Sequence, residues 1–490
     1  MNILGIGGVL RDAAAALIKD GVIACAIEET KLTRRSDPGR LPDASIAACL
    51  RMAGLKPEDI DVVALARPLP AGSALPVALR AFSQARVVSI DHHEAHAASA
   101  FFASPFENAT VITLDREGDL RCGAKWAGHG NRLTLEDEVL YPDSIGELYG
   151  RVTRLLGFRQ GADEHLVQWL SVTGQPKFQS LFEDVFNGRN FDDLSLGPQA
   201  ERADIAASIQ KTLEAYVMRL AGEGGNLCLA GGVAWNALMV SALEASGKYT
   251  GVFAQPAAGN AGTALGAALH VWHENGGARI DASGYALGPS YTASEIKQVL
   301  ENCKLRFSLL PTVPETIGAA VDQLKQHRIV AWMQGRMEFG PRALGHRSIL
   351  ASPHDPYSAE NLNAFIKHRE GFRKFAASVP AELASQYFEA GANARHLATV
   401  GRVKPQYAEQ FRGAVLANDL VRVHTVSQED NPHYWQLLHA YGDATGLPVL
   451  YNTSFNLFGE PLVCTPRDAV RSFYSSGIDA MIAGNFLLEK

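Results

Sequence analysis

Two histidines four residues apart are the first side chains in this sequence whose types and spacing could do chemistry. His92 and His96 would project from one face of a helix, where two imidazoles can bind a single divalent metal ion. Asp115 ends the apolar run VITLD and could add a carboxylate to the same site or act with a histidine in general acid–base catalysis. The alternatives are histidines that cap or pack a helix start, and an aspartate in an ordinary turn.

A second group of side chains is cationic and lies between Arg336 and Lys374. This stretch holds seven Lys/Arg against four acidic residues, although the whole chain carries a net charge of −7. Arginines held by short loops bind phosphate through paired hydrogen bonds. Apolar residues between the charges favour a cluster drawn toward a core, and a solvated basic face is the alternative. Asn452, Thr453 and Ser454 lie at a predicted strand end and offer amide and hydroxyl donors.

Glycine-rich turns indicate a place for phosphate groups in the first half of the chain. Gly231 and Gly232 follow the apolar run NLCLA, and Gly259 and Gly262 bracket a turn before a predicted helix. Such turns present backbone N–H groups at a helix start, where they can bind phosphate. Tight structural turns need the same glycines, so both interpretations stay open.

The elements that must position these residues alternate between strands and helices, which is typical of an α/β protein. Apolar runs joined by the turn at 19–21 predict a hairpin, and a similar strand–turn–strand unit at 109–128 suggests a duplicated core. Further strands are predicted at 226–230, 329–333 and 447–454. Helices are predicted at 44–52, from His93 onward, and at 205–221, 262–272, 317–325, 435–441 and 466–475.

Composition restricts the class of protein and its surroundings. The 490 residues are 47% hydrophobic and 20% charged, which excludes a disordered or fibrous protein and leaves room for two or three domains. Six scattered cysteines without a CxxC pair favour a reducing compartment, so we expect a cytoplasmic protein with no membrane span or export signal. The sequence contains no P-loop, complete GxGxxG, GxSxG or HExxH motif.

Six motifs, in family order, make the chain resemble the O-carbamoyltransferase family. They are DHHEAHAASAFFASPF (91–106), LCLAGGVAWN (227–236), QPAAGNAGTALGAAL (255–269), GRMEFGPRALGHRSILASP (335–353), IKHREGFRKFA (366–376) and NTSFNLFGEPLV (452–463). The resemblance implies an actin-like, Kae1-like first domain over 1–285. It also implies a YrdC-like α/β second domain over 286–490, whose last residues can pack back on the first.

The resemblance further implies an activity. Members form carbamoyl-adenylate from carbamoyl phosphate and ATP and pass the carbamoyl group to an alcohol or amine. Carbamoyl phosphate would be held by Arg342, Lys367, Arg373 and Ser454, and the nucleotide by Gly231, Gly232, Asn236, Gly259 and Gly262. Three cations and a hydroxyl suit a dianionic phosphate. We also expect a homodimer and a small natural-product acceptor.

Four departures from the family pattern fall in the first domain. Asn260 replaces an aspartate that, in the family, holds a divalent metal such as Fe²⁺ together with the histidines of HxxxH. Arg116 lies at a family glycine, Leu166 lies at a family lysine, and the family histidine before Asp12 is missing. Because losing an anionic ligand weakens a divalent site, we expect altered chemistry there: metal-free, ATP-free, or without turnover.

Three functional hypotheses follow. The first is a carbamoyltransferase in which His92, His96 and Asp115 act as general base, acceptor-positioning groups or residual metal ligands. The second is a catalytically degenerate partner or regulatory subunit of an intact paralogous carbamoyltransferase. The third is carbamoyl transfer to tRNA, and the net charge of −7 without a long basic stripe argues against a nucleic-acid partner.

Overall fold

Two five-stranded sheets form the first half of the protein. The computed structural model describes residues 1–36, 38–69, 79–186, 190–193, 201–282, 284–457 and 459–490. The first sheet contains β1 (Asn2–Gly7), β2 (Ala14–Lys19), β3 (Val22–Glu28), β4 (Val62–Ala66) and β5 (Arg86–Ile90). The second contains β6 (Asn108–Gly118), β7 (Arg121–His129), β8 (Arg132–Leu140), β9 (Asn226–Ala230) and β10 (Gly251–Ala254).

The two sheets repeat one topology. The strand order is β3-β2-β1-β4-β5 in the first sheet and β8-β7-β6-β9-β10 in the second. In each sheet an antiparallel meander of three strands is followed by two strands that pair in parallel. This duplication confirms the predicted α/β class with an actin-like first half.

Helices cover these sheets and separate them. They are α1 (Glu29–Thr33), α2 (Asp43–Ala53), α3 (His92–Phe101), α4 (Ile145–Leu155), α5 (Glu164–Ser171), α6 (Gln179–Phe186), α7 (Arg202–Ala221), α8 (Ala237–Ala245) and α9 (Gly262–Glu274). The alanine-rich helices α3 and α9 pack on each other and share one buried core with both sheets. Gly266 permits this approach, because a Cβ there would lie 1.8 Å from the Ala95 carbonyl oxygen.

A ten-stranded mixed sheet forms the second half. Its strands are β11 (Ser308–Leu309), β12 (Val330–Met333), β13 (Arg347–Ala351), β14 (Ala376–Pro380), β15 (Phe388–Glu389), β16 (Gly401–Val403), β17 (Leu420–Val426), β18 (Leu450–Ser454), β19 (Ala480–Ala483) and β20 (Phe486–Glu489). The order is β11-β20-β19-β12-β13-β18-β14-β17-β16-β15. The last residues therefore pair within this sheet, through β20 on β19.

The described residues of the second half form six α-helices. They are α10 (Ala293–Asn302), α11 (Val313–Lys325), α12 (Ser358–Asn361), α13 (Ala384–Tyr387), α14 (Pro432–Thr445) and α15 (Pro466–Tyr474). A π-helical turn at Leu362–Lys367 follows α12. Tyr285 and Leu287, beside the predicted join at 285, pack in the core of the first half. The domain boundary itself stays a prediction.

The predicted elements occur close to their expected positions, but several strands were not predicted, among them β4, β5, β8, β13, β14 and β17. The strand at 226–230 coincides with β9, whereas the strand predicted from 447 begins at Leu450. One of these is β8, whose residues are mostly exposed at a sheet edge, so its sequence lacks the apolar alternation of a half-buried strand. Within the described ranges, no helix combines the length and apolar character needed to cross a bilayer.

Candidate active site

A cavity of about 720 Å³ lies between the two halves, and residues of both line it. The first half contributes His92 and Asp115 at one part of its wall. The second half contributes a group of cations, which are Arg342, Arg369, Arg373, Lys374 and Arg422. The volume is within the usual range for ligand sites, so the two predicted clusters face one shared space.

The two predicted histidines and the aspartate meet at one point. His92 and His96 are one turn apart on α3, and the Nε2 atom of each lies 2.9 Å from Oδ2 of Asp115, at the end of the regular pairing of β6. The His92 Nδ1 atom lies 3.0 Å from the carbonyl oxygen of Arg67. All three side chains are buried, and His96 is fully so.

These three residues fit a divalent metal ion. Their ligand atoms all lie within 4.8 Å of one another, and they form a two-nitrogen, one-oxygen donor set. Neither ring nitrogen of His96 has an aligned hydrogen-bond partner, although Nε2 is close to the carboxylate. Asn260 lines the same cavity and offers a neutral amide.

The charge of this cluster is set by burial and mutual contact. Burial opposes ionisation of Asp115, but the two imidazoles outweigh it and hold the pKa of that carboxyl well below its usual value. Burial lowers the pKa of His96, which keeps it neutral. For His92 the hydrogen bond and charge of Asp115 outweigh burial and raise its pKa. The cluster therefore combines an ionised carboxylate with a neutral imidazole.

The Gly231–Gly232 turn supports Asp115. The Gly232 N–H donates to Asp115 Oδ1 at 2.5 Å, so this donor is already used within the protein. Gly231 has φ +88°, and a Cβ there would lie 2.2 Å from the Leu114 carbonyl oxygen. Both glycines were predicted to bind a nucleotide, and only Gly232 lines the cavity.

The other predicted nucleotide residues also have structural contacts. Asn236 caps α8 and exchanges two side-chain hydrogen bonds with Gln210, yet it still borders the cavity. Gly259 lines the cavity too, whereas Gly262 starts α9, where a Cβ would lie 2.0 Å from the Ala257 carbonyl oxygen. Nucleotide binding by this set stays a prediction.

The cations of the second half repel one another and are largely without acidic partners. Among the described residues, Arg342, Arg369 and Arg422 have no carboxylate within 4.0 Å, and Arg373 has only Glu370, at 3.9 Å. Burial, and then Arg373, lower the pKa of Arg342 to about 10 and that of Arg369 to about 9. Positive charges held together in a cavity favour an anionic occupant.

Lys367 and Ser454 lie together, but only Ser454 lines the cavity. The Lys367 ammonium donates to the carbonyl oxygen of Ser454, to the Asn456 carbonyl at 3.0 Å and to Asn456 Oδ1 at 2.7 Å. Burial lowers the pKa of Lys367 well below its usual value. Lys367 thus supports the Ser454 loop from behind in this structure.

Two arginines of the predicted cationic stretch serve the fold instead. The Arg347 side chain is fully buried and donates to the carbonyl oxygens of Gln334 and Pro289, among others. Arg336 donates to the carbonyls of Ala24 and Gly288. The interpretation of the stretch as one anion-binding cluster therefore needs correction, because these guanidinium groups satisfy backbone oxygens.

Sequence reasoning missed Arg422 entirely. It lies on β17, opposite Ala376 of β14, and its Nε atom is buried without a partner. Burial and the nearby Arg342 lower its pKa well below the ordinary value. No local motif marks it; the only sequence signal is a cation alternating with valines in a strand.

Two of the departures from the family pattern bring arginines to the cavity, and a third is buried. Arg11 and Arg116 both line the cavity near Gly161, whose carbonyl accepts a hydrogen bond from Arg11. Arg116 pairs with Glu117 at 2.7 Å. Leu166 is buried in α5 and presents no charge to the cavity. With Arg67, which also lines the cavity, the wall contributed by the first half carries three arginines.

The two halves of the protein share one cavity, whose wall carries several cations. Two family models match the chain, the carbamoyltransferase N-terminus over 2–68, 72–193 and 182–269, and the carbamoyltransferase C-terminus over 321–490. The chain therefore belongs to the carbamoyltransferase family, as the resemblance predicted, and is an enzyme of that class.

Three relatives illustrate the range of this family. An uncharacterised protein of Synechocystis is 35% identical over 100% of this chain and 97% of its own length. Nodulation protein NolO of Bradyrhizobium diazoefficiens is 34% identical over 82% of this chain and 79% of its own. The 3'-hydroxymethylcephem-O-carbamoyltransferase of Amycolatopsis lactamdurans is 26% identical over 82% and 80%. The alternative of a catalytically degenerate subunit gains no support from them.

Proposed function

We propose that the protein transfers the carbamoyl group of carbamoyl phosphate to a hydroxyl or amine of a small acceptor, with ATP forming carbamoyl-adenylate on the way. One observation carries this proposal: a single cavity joins the arginines of the second half to the His92–Asp115 pair of the first. A phosphate compound bound at the arginines can therefore pass its carbamoyl group to a protected site without leaving the protein.

The proposed reaction has three steps. Water releases inorganic phosphate from carbamoyl phosphate, and an oxygen of the resulting carbamate attacks the α-phosphorus of ATP and displaces pyrophosphate. The acceptor oxygen or nitrogen then attacks the carbamoyl carbon, AMP leaves with the electron pair of the broken C–O bond, and the acceptor loses a proton. The arginines stabilise the negative charge that develops on the leaving phosphate.

The first half provides the site for the acceptor. Asp115 is fixed through Oδ1 by the Gly232 N–H, and its Oδ2 faces both imidazoles, so this buried carboxylate can orient an acceptor hydroxyl. His92, which lines the cavity and whose pKa is raised, can receive the hydroxyl proton. When bound to His92, His96 and Asp115, a divalent ion would supply Lewis-acid polarisation there. The use of metal and ATP, and a homodimer, remain part of this proposal.

The test is product analysis with the full chain. The protein is incubated with carbamoyl phosphate, ATP and pooled hydroxyl and amine acceptors, and phosphate, pyrophosphate and AMP are measured. Equal amounts of the three products, with loss of all three in Arg342→Ala, are expected. Arg412→Ala is the control, because Arg412 is exposed and pairs with Glu409. No phosphate release, or an Arg342→Ala variant as active as the wild type, would reject the proposal.

A further inference from the structure

A buried ion pair of the first half holds the loop of the second half that carries Arg342. Glu28 ends β3 and Lys31 lies in α1, and Lys31 Nζ is 2.8 Å from Glu28 Oε1. Their side chains are only 10% and 6% exposed. A charged pair so far from water is stabilised by its hydrogen bonds, so its other contacts indicate its role.

Those other contacts all go to the backbone two to four residues before Arg342. Lys31 Nζ donates to the carbonyl oxygen of Glu338 at 2.9 Å and to that of Gly340 at 2.7 Å. The Gly340 N–H donates to Glu28 Oε1 at 2.8 Å. The three ammonium protons of Lys31 are therefore all used, two of them on this loop.

The loop is fixed on its other side by Glu338. Oε1 of this fully buried side chain accepts from the backbone N–H groups of Leu344, His346 and Arg347 at 2.8, 2.9 and 3.0 Å. Residues 341–343 lie between these two anchors and line the cavity. Arg342 itself reaches across to the Trp235 carbonyl oxygen at 3.5 Å.

We infer that Glu28 and Lys31 are positioning residues for carbamoyl phosphate, which act through Arg342 by fixing the backbone of 338–340. This inference rests on the proposed function. Its physical basis is that Arg342 lies in a loop between two anchors, and one anchor belongs to the other half of the protein. The first half thereby determines how tightly the second half binds carbamoyl phosphate.

The expected effect is a loss of donor affinity. In Lys31→Met two carbonyl oxygens and the Glu28 carboxylate lose their partner, so the loop shifts and Arg342 leaves its best position. Because small displacements of a binding group reduce its effect strongly, the Kd for carbamoyl phosphate should rise about tenfold or more. Glu28→Gln keeps an acceptor for the Gly340 N–H but removes the charge, and should give a smaller rise in the same direction.

Isothermal titration calorimetry with carbamoyl phosphate and the full chain tests the inference as a double-mutant cycle. If Lys31 acts through Arg342, Lys31→Met raises Kd in the wild type and has no further effect in an Arg342→Ala background. The control is Glu244→Gln, which alters a different contact between the halves, with Asn393 and Thr399, and should leave Kd unchanged.

Two results would overturn the inference while leaving the proposed function intact. One is an unchanged Kd in both Lys31→Met and Glu28→Gln, and the other is an equal rise in Kd with and without Arg342. If Lys31→Met does not fold, Glu28→Gln carries the same cycle. If the wild type itself does not bind carbamoyl phosphate, the proposed function fails, and the inference fails with it.

Discussion

The Nε2 atom of His92 lies 2.9 Å from Oδ2 of Asp115, and the same oxygen lies 2.9 Å from Nε2 of His96. A single carboxylate oxygen thus serves two imidazoles that helix α3 presents one turn apart. Asp115 comes from a different element, at the end of the pairing between β6 and β7, and the Gly232 N–H fixes its other oxygen. Helix α3, strand β6 and the turn at Gly232 together hold this one carboxylate in place.

Asp115→Asn should therefore abolish most of the activity. The amide keeps the size and one acceptor oxygen but removes the negative charge that both imidazoles face, and we expect product formation to fall about 10²-fold or more. Phosphate, pyrophosphate and AMP measured against time provide the readout. Asp119→Asn is the control, because Asp119 pairs with Arg67 instead and has φ +57°, which asparagine tolerates. A rate for Asp115→Asn within twofold of the wild type would contradict this assignment.

Arg422→Met should weaken donor binding and stabilise the ligand-free protein. Arg422 is a partly buried cation near three other arginines, and its desolvation lowers its pKa well below the usual value, so its charge costs folding free energy. Hydrogen bonds to a charged group contribute about 1.5–3 kcal/mol, so the Kd for carbamoyl phosphate should rise about tenfold or more. The melting temperature without ligand should rise by about 1–3 °C.

The control for this experiment is Arg412→Met, since the exposed Arg412 side chain lies outside the cavity lining. Calorimetry gives the Kd, and a thermal melt gives the stability. A lower melting temperature together with an unchanged Kd would show that Arg422 is a structural residue.

Asn260→Asp should increase retention of a divalent metal. Asn260 lines the cavity together with His92 and Asp115, and a carboxylate there adds negative charge beside a donor set of two nitrogens and one oxygen. After dialysis against metal-free buffer, the variant should hold more iron or zinc than the wild type. His96→Ala in the Asn260→Asp background should remove the gain. Equal metal content in the wild type and Asn260→Asp would place Asn260 outside the metal's reach.

The sequence predicted the site residues that belong to local motifs. It missed a residue that only the pairing of distant strands brings to the site. His92, His96 and Asp115 were predicted together, since helical spacing and a strand end define them locally. Arg422 was not, because the parallel pairing of β14 with β17 brings it to the cavity, and a polar strand position in sequence does not reveal which space it faces. Arg347 shows the reverse case: its motif is local, but its guanidinium binds carbonyl oxygens.

The fold, too, was predicted from the sequence only where its contacts are local. The first three strands and the repeated unit at 109–128 predicted a duplicated core, and the two sheets share one strand order. The contact of Lys31 with the backbone of Glu338 and Gly340 spans about three hundred residues of sequence, and no spacing rule relates them. Long-range contacts of this kind depend on how the halves pack.

Acid should destabilise the protein through its buried neutral histidines. Burial lowers the pKa of His424 to about 3 and that of His273 to about 4, and each side chain is only 3% exposed. In the unfolded chain both titrate near 6.5. As the pH falls below about 6.5, the unfolded state binds protons that the folded state does not bind. The free energy of unfolding therefore declines until the pH reaches the pKa values of the folded state. The melting temperature should be lower at about pH 5 than at about pH 7.

His273→Phe isolates one of these contributions. His273 stacks on Phe102 with ring centroids 4.0 Å apart, and neither of its ring nitrogens has a hydrogen-bond partner among the described residues, so an apolar ring can replace it. The variant should take up about one proton fewer than the wild type on unfolding near pH 5, which reduces the pH dependence by about 1.4 kcal/mol per pH unit. Calorimetric melts of both proteins across this range provide the measurement. Parallel curves for the two proteins would mean that His273 is protonated in the folded state, because only then does its replacement leave the proton balance unchanged.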